Sequence, residues 1–154
     1  MHFKQAYLNK LLDILRIFKP SEACSCEDCR FMCRVPCWPF PHEAVRLIRR
    51  GYGQRLRTMQ WHLNEEKSAR ILRPLFTGGD LDDARCVLQD PETGLCELHD
   101  LGMKPFEGRI AHHAIDRGDT DIRNMLAELW DTECGRATIN YFMSAMWKGN
   151  HENI

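Results

Sequence analysis

A chain of 154 residues with 44% hydrophobic content is long enough to bury one ordinary core without disulfides, so a single domain over residues 1–154 is expected. A formal net charge of -1 and a pI near 6.6 exclude the overall basic footprint of a dedicated nucleic-acid binder. Asn9, Lys10, Asp13 and Arg16 interrupt the N-terminal stretch, which therefore lacks the apolar run of a signal peptide and the length of a membrane span. A cytoplasmic protein without membrane contact is the expectation.

Phe3, Tyr7, Leu11, Leu12, Leu15 and Phe18 recur at three- and four-residue spacing, which predicts an amphipathic helix ended by Pro20. Residues 20–41 carry five cysteines and Pro20, Pro36, Pro39 and Pro41, the composition of an irregular loop whose order comes from cross-linking. Pro41 suits the first turn of a helix bearing Val45, Leu47 and Ile48, with Gly51 closing it in the left-handed conformation. A further helix is expected over residues 54–72, before Pro74. Residues 77–109, with their glycines and prolines, read as loops with one short hairpin around Pro91 to Gly94. Two C-terminal helices follow within residues 118–149, one carrying Ile122, Met125, Leu126 and Leu129, the other Tyr141, Phe142, Ala145 and Met146. The fold class is thus mainly α, a small helical domain with irregular cysteine-rich metal-binding loops between residues 20 and 113.

The chemistry sits in the run CSCEDCRFMCRVPC, which holds Cys24, Cys26, Cys29, Cys33 and Cys37. A tetrahedral zinc takes four thiolate or imidazole donors at about 2.0 to 2.3 Å, and a two-residue gap such as Cys26 to Cys29 lets two thiolates meet on one ion. Iron-sulfur clusters use similar short spacings, so zinc, iron and a cluster all remain open as cofactor. In a reducing compartment such thiols point to metal rather than disulfides. Cys86, Cys96 and His99 form a second group, and Cys96 and His99 repeat the two-residue gap. If that loop folds against the first run, its sulfurs complete a shared site or form another. His112 and His113 are adjacent, so at most one of them can face a given ion. Cys134 reads as a buried small hydrophobe. Trp38 either covers the metal site or plugs the core.

Arg46, Arg49, Arg50, Arg55, Arg57, Lys67, Arg70 and Arg73 make residues 45–73 basic, with Tyr52 and Trp61 available for stacking on bases. A solvated face explains them more simply, so nucleic acid is not the expected partner; a metal ion is, and a protein partner is compatible. No phosphate loop, serine nucleophile motif or placed carboxylate pair names a catalytic residue.

These residues resemble the YkgJ-type (CxxCxxCC) family of zinc- or iron-chelating domains. The resemblance spans about Cys24 to His113 and rests on CEDCRFMC, PHEAVRLIRRGYGQRL, CVL, GLCELH and KPFEGR in that order. It implies that Cys26, Cys29 and Cys33 form the opening motif and that Cys86 and Cys96 are later ligands. The family's adjacent double cysteine is absent here, and its last cysteine is replaced around Gly108, with Cys24 and Cys37 as compensating donors. Most of the family is known as metal-chelating domains, while some members look like protein-modifying enzymes such as flagellin lysine methylases. The leading expectation is therefore an accessory or structural metal-binding protein, and the alternative an iron-sulfur or metal-dependent enzyme of redox chemistry or protein modification.

Overall fold

The computed structural model describes residues 2–20, 24–78, 84–111 and 120–151. The first helix, α1 (His2–Ile17), buries Tyr7 and Ile14 and packs Leu11, Leu15 and Phe18 against the core. Leu12 is exposed, contrary to its place in the expected stripe. At 100° per residue it stands about 140° round the helix from Tyr7.

Residues 24–41 are more ordered than a cross-linked loop. Glu27–Met32 form a short helix, α2, whose first turn carries Glu27 and Asp28, the charges that favour a helix N-terminus. The stretch from Pro36 to Pro41 is buried throughout, with Trp38 and Phe40 among the most enclosed side chains. Burying each large side chain contributes roughly 1.5–3 kcal/mol, so this strap is held by the core. Trp38 therefore plugs the core. Helix α3 (Pro41–Leu47) begins at Pro41 as expected, and Glu43 accepts the Phe40 backbone N–H at 2.9 Å. It runs into a π-helical turn, Ile48–Tyr52, broken at Gly51 with φ 91°.

The helix expected over residues 54–72 is instead a β-hairpin. Strand β1 (Leu56–His62) pairs antiparallel with β2 (Ser68–Pro74), from Leu56 opposite Pro74 to His62 opposite Ser68. Two local signals decide against the helix. Buried and exposed positions alternate from Ser68 to Ile71, the period of a strand. The Asn64 side chain then accepts the Glu66 N–H at 3.0 Å and nucleates the turn. Short strands β3 (Phe76–Thr77) and β4 (Arg85–Cys86) form a second two-stranded sheet. The tight turn near Pro91 is present, with Gln89 bridged to Cys96 and the Asp90 N–H bonded to Leu95 O at 2.8 Å.

Helix α4 (Phe106–Ile110) is followed by α5 (Thr120–Trp130) and α6 (Glu133–His151). The expected faces hold for Ile122, Leu126, Leu129 and Phe142, all buried, whereas Tyr141 is exposed. Cys134 is half-buried rather than buried, in the first turn of α6. Helices α3, α5 and α6 pack on β2, and α1 packs on α5 and α6. The fold is thus helices gathered on a hairpin, with a second small sheet, and not a purely helical domain. Among the described residues no helix is long and apolar enough to cross a membrane.

Candidate metal centres

The structure divides seven of the eight cysteines into two groups, with Cys134 apart in α6. Cys24, Cys26 and Cys29 bring their sulfur atoms within 4.8 Å of one another, the one such donor group among the described residues. Cys26 precedes the first residue of α2 and Cys29 lies inside it, so the helical turn itself brings them together, with the Arg30 N–H bonded to Cys26 O at 3.0 Å. Cys29 is buried, Cys24 half-buried and Cys26 exposed, which places the group at the surface with one sulfur inside. The group can hold a metal ion.

Cys33, Cys37, Cys86 and Cys96 instead line one cavity of about 10 Å³, room for a single water- or ion-sized body. They are not among the close donor groups of the described residues. Burial pushes the Cys86 thiol up to about 11, and Cys37 and Cys33 add to the shift. Cys96 is pushed up to about 11 in the same way, with Cys33 and Cys86 adding and Lys104 opposing. Cys86 and Cys96, so desolvated, stay protonated near neutral pH unless a cation enters beside them.

Backbone and side-chain hydrogen bonds join the two cysteine loops. The Cys86 N–H donates to Arg34 O at 2.7 Å. Gln89, buried, donates from Nε2 to both Arg30 O and Gly94 O at 2.8 Å. Gly94, at φ 71°, takes a backbone conformation that strains other residues, and a Cβ there would lie a tight 3.2 Å from Arg30 Cδ. Arg55 clamps the far side with a two-pronged bond to Glu97 and a 2.9 Å bond to Val87 O. Sequence reasoning missed Gln89. One polar residue between Leu88 and Asp90 carries no spacing signal, and its role appears only once both loops are in place.

His99 is half-buried, its backbone N–H bonded to Cys96 O at 2.9 Å, and it does not line the cavity. His112 and His113 lie outside the described residues. In the basic stretch, Tyr52 and Trp61 pack against the core, Trp61 stands edge-on to Trp38 at 4.9 Å, and its indole N–H donates to Asn124. No family model, curated protein or solved structure matches the chain.

Proposed function

We propose that this chain is an accessory or structural metalloprotein that holds zinc through cysteine thiolates. The convergence of Cys24, Cys26 and Cys29 within 4.8 Å carries the reading. Thiolates about 2.3 Å from one ion in a tetrahedron stand about 3.8 Å apart, so three sulfurs at this range need only a small inward adjustment to hold a mononuclear ion. A fourth donor, a water or another side chain, completes that shell. Cys33, Cys37, Cys86 and Cys96 supply a full set of four thiolates for a second ion, which would draw the sulfurs inward and release their protons.

The YkgJ-type pattern supports the same assignment. Gly108, where that family's last cysteine falls, lies against the cavity, and a Cβ there would be 2.9 Å from Cys37 Sγ. The position is thus next to the proposed ion even though its thiol is gone.

Anaerobic purification with elemental analysis tests the proposal. A colourless protein carrying one or two zinc ions per chain is the expected result, with cobalt substitution producing thiolate-to-metal absorption. A brown protein containing iron and sulfide would replace the mononuclear reading with a cluster. Protein that neither retains metal nor gives the cobalt spectrum would overturn it.

A further inference from the structure

Beside the cysteine cavity lies a second, larger one of about 210 Å³, and its walls are cationic. Arg46, Lys104 and Arg109 line it together with His42 and Glu43. Among the described residues that line it, three cations accompany one carboxylate, and that carboxylate is already committed. Glu43 Oε2 accepts the backbone N–H groups of Phe40 at 2.9 Å and Phe106 at 3.0 Å, while Oε1 accepts from Arg109 Nη2.

The remaining positive charge is positioned rather than merely exposed. Arg46 Nη1 donates to Gly102 O at 3.3 Å, in a turn made by Gly102 at φ 63°. Arg109 Nε donates to Lys104 O at 3.1 Å, and its guanidinium lies over the Phe106 ring. Lys104 runs along Gly108, where a Cβ would lie 3.0 Å from its Cε, and it lines both cavities. Among the described residues neither Arg46 nor Lys104 has a carboxylate partner. Hydrogen-bonded guanidinium groups and an ammonium converging on one open cavity suit a doubly charged oxyanion, because each offers charge-assisted donors to a different oxygen.

We infer that the cavity between α3, the Gly102 turn and α4 is an anion site for a small phosphate-bearing ligand. The volume admits a phosphate with a short attached group, and the polar walls leave little for a larger apolar body. The inference stands on this cavity alone and does not need a metal in either cysteine group.

Titration of the full, as-purified chain with inorganic phosphate, followed by calorimetry and by Tm, provides the test. Saturable binding is expected, with Arg46→Gln and Lys104→Gln each weakening it about tenfold or more and the double variant abolishing it. Arg46→Gln should leave metal content and circular dichroism unchanged, since Arg46 does not line the cysteine cavity. Weakened phosphate binding at unchanged metal content then separates this site from the cysteine groups. Arg46→Lys, which keeps the charge but loses the fork, should retain weakened binding. An equal Tm rise with sodium chloride at matched ionic strength would overturn the inference. So would undiminished phosphate binding by the double variant.

Discussion

Tyr7 Oη lies 2.7 Å from His42 Nδ1, a hydrogen bond that ties α1 to the first turn of α3 across 35 residues of sequence. Burial raises the Tyr7 phenol well above its ordinary value near 10, and desolvation, with Arg109 adding and Glu43 opposing, lowers His42 below its usual 6.5. Both shifts favour the neutral pair, and they act at opposite ends of the pH scale. An unfolded chain protonates His42 near 6.5 while the folded one does not, so between 6.5 and the folded value the unfolded state holds more protons and stability falls as pH drops. Above about pH 10 the unfolded chain ionises Tyr7 while the folded one resists, so stability falls again as pH rises. Part of His42 stays open to solvent, which keeps its share small. Urea midpoints of wild type and His42→Gln, compared from pH 7.5 to 5, should converge as pH falls; parallel curves would show that His42 titrates as freely folded as unfolded. Tyr7→Phe should cost about 1 kcal/mol at neutral pH.

Glu107 is 5% exposed, and it accepts the Trp38 N–H on one oxygen and the Arg123 guanidinium on the other. It holds the cysteine-bearing strap against α4 and α5. Glu107→Gln keeps the size but removes the charge opposite Arg123, whose guanidinium also lies 5.0 Å over Trp38. A loss of about 2 kcal/mol is expected, read as a lower urea midpoint at unchanged m value. Arg123→Met made alongside Glu107→Gln should recover part of it, because no cation is then left stranded. Failure of the pair to recover anything would mean that the Trp38 N–H, not the ion pair, is the dominant partner.

Helix legibility followed apolar spacing. The faces of α1 and α5 could be read because each is a repeated three-to-four-residue pattern, and the start of α3 because Pro41 and Gly51 are conformationally constrained residues. The β1–β2 hairpin could not, since Met59, Gln60, Arg70 and Leu72 all suit helices locally and the turn signal is a single asparagine. The cysteine loops were legible as chemistry but not as geometry. Spacing gave Cys26 with Cys29, yet the separation of Cys33 and Cys37 from that pair, toward Cys86 and Cys96, depends on where Trp38 and Phe40 enter the core.

Gly135 sets the crossing of α5 onto α6. A Cβ there would lie 2.1 Å from Trp130 O, a backbone atom that cannot swing aside. The Gly135 N–H meanwhile bonds to the Thr132 hydroxyl at 3.2 Å, fixing the start of α6. Gly135→Ala should therefore destabilise by about 3 kcal/mol or more, against the gain of up to about 1 kcal/mol expected of alanine in an unhindered helix. Thermal unfolding checks the sign: an unchanged or higher Tm would show that the two helices can move apart cheaply.

Gly108 poses a comparable question at the cysteine cavity. Alanine should favour helix α4 over glycine, yet its Cβ would stand 2.9 Å from Cys37 Sγ and 3.0 Å from Lys104 Cε. Lys104 is long and can yield, whereas Cys37 is short and set in the buried strap. Overpacking should win by about 1–3 kcal/mol, and metal affinity at the proposed Cys33, Cys37, Cys86 and Cys96 site should fall with it.

The two cysteine groups should also respond separately. Cys29→Ser removes the buried sulfur of the Cys24, Cys26 and Cys29 group, and Cys86→Ser removes one wall of the other cavity. In a chain carrying two ions, each variant should lose about one equivalent of zinc by elemental analysis, and the double variant both. Chelation should then open the chain unevenly. Cys24 to Val35, resting on α2 and exposed around Cys26 and Phe31, should become sensitive to protease, while Pro36 to Pro41 stays protected by the burial of Trp38 and Phe40. Cleavage mapped by mass spectrometry distinguishes the outcomes. Cuts spread evenly across both stretches would mean that metal, rather than the core, holds the strap, and no new cuts would mean that the hydrogen bonds of Gln89 and Arg34 alone suffice to hold the loop.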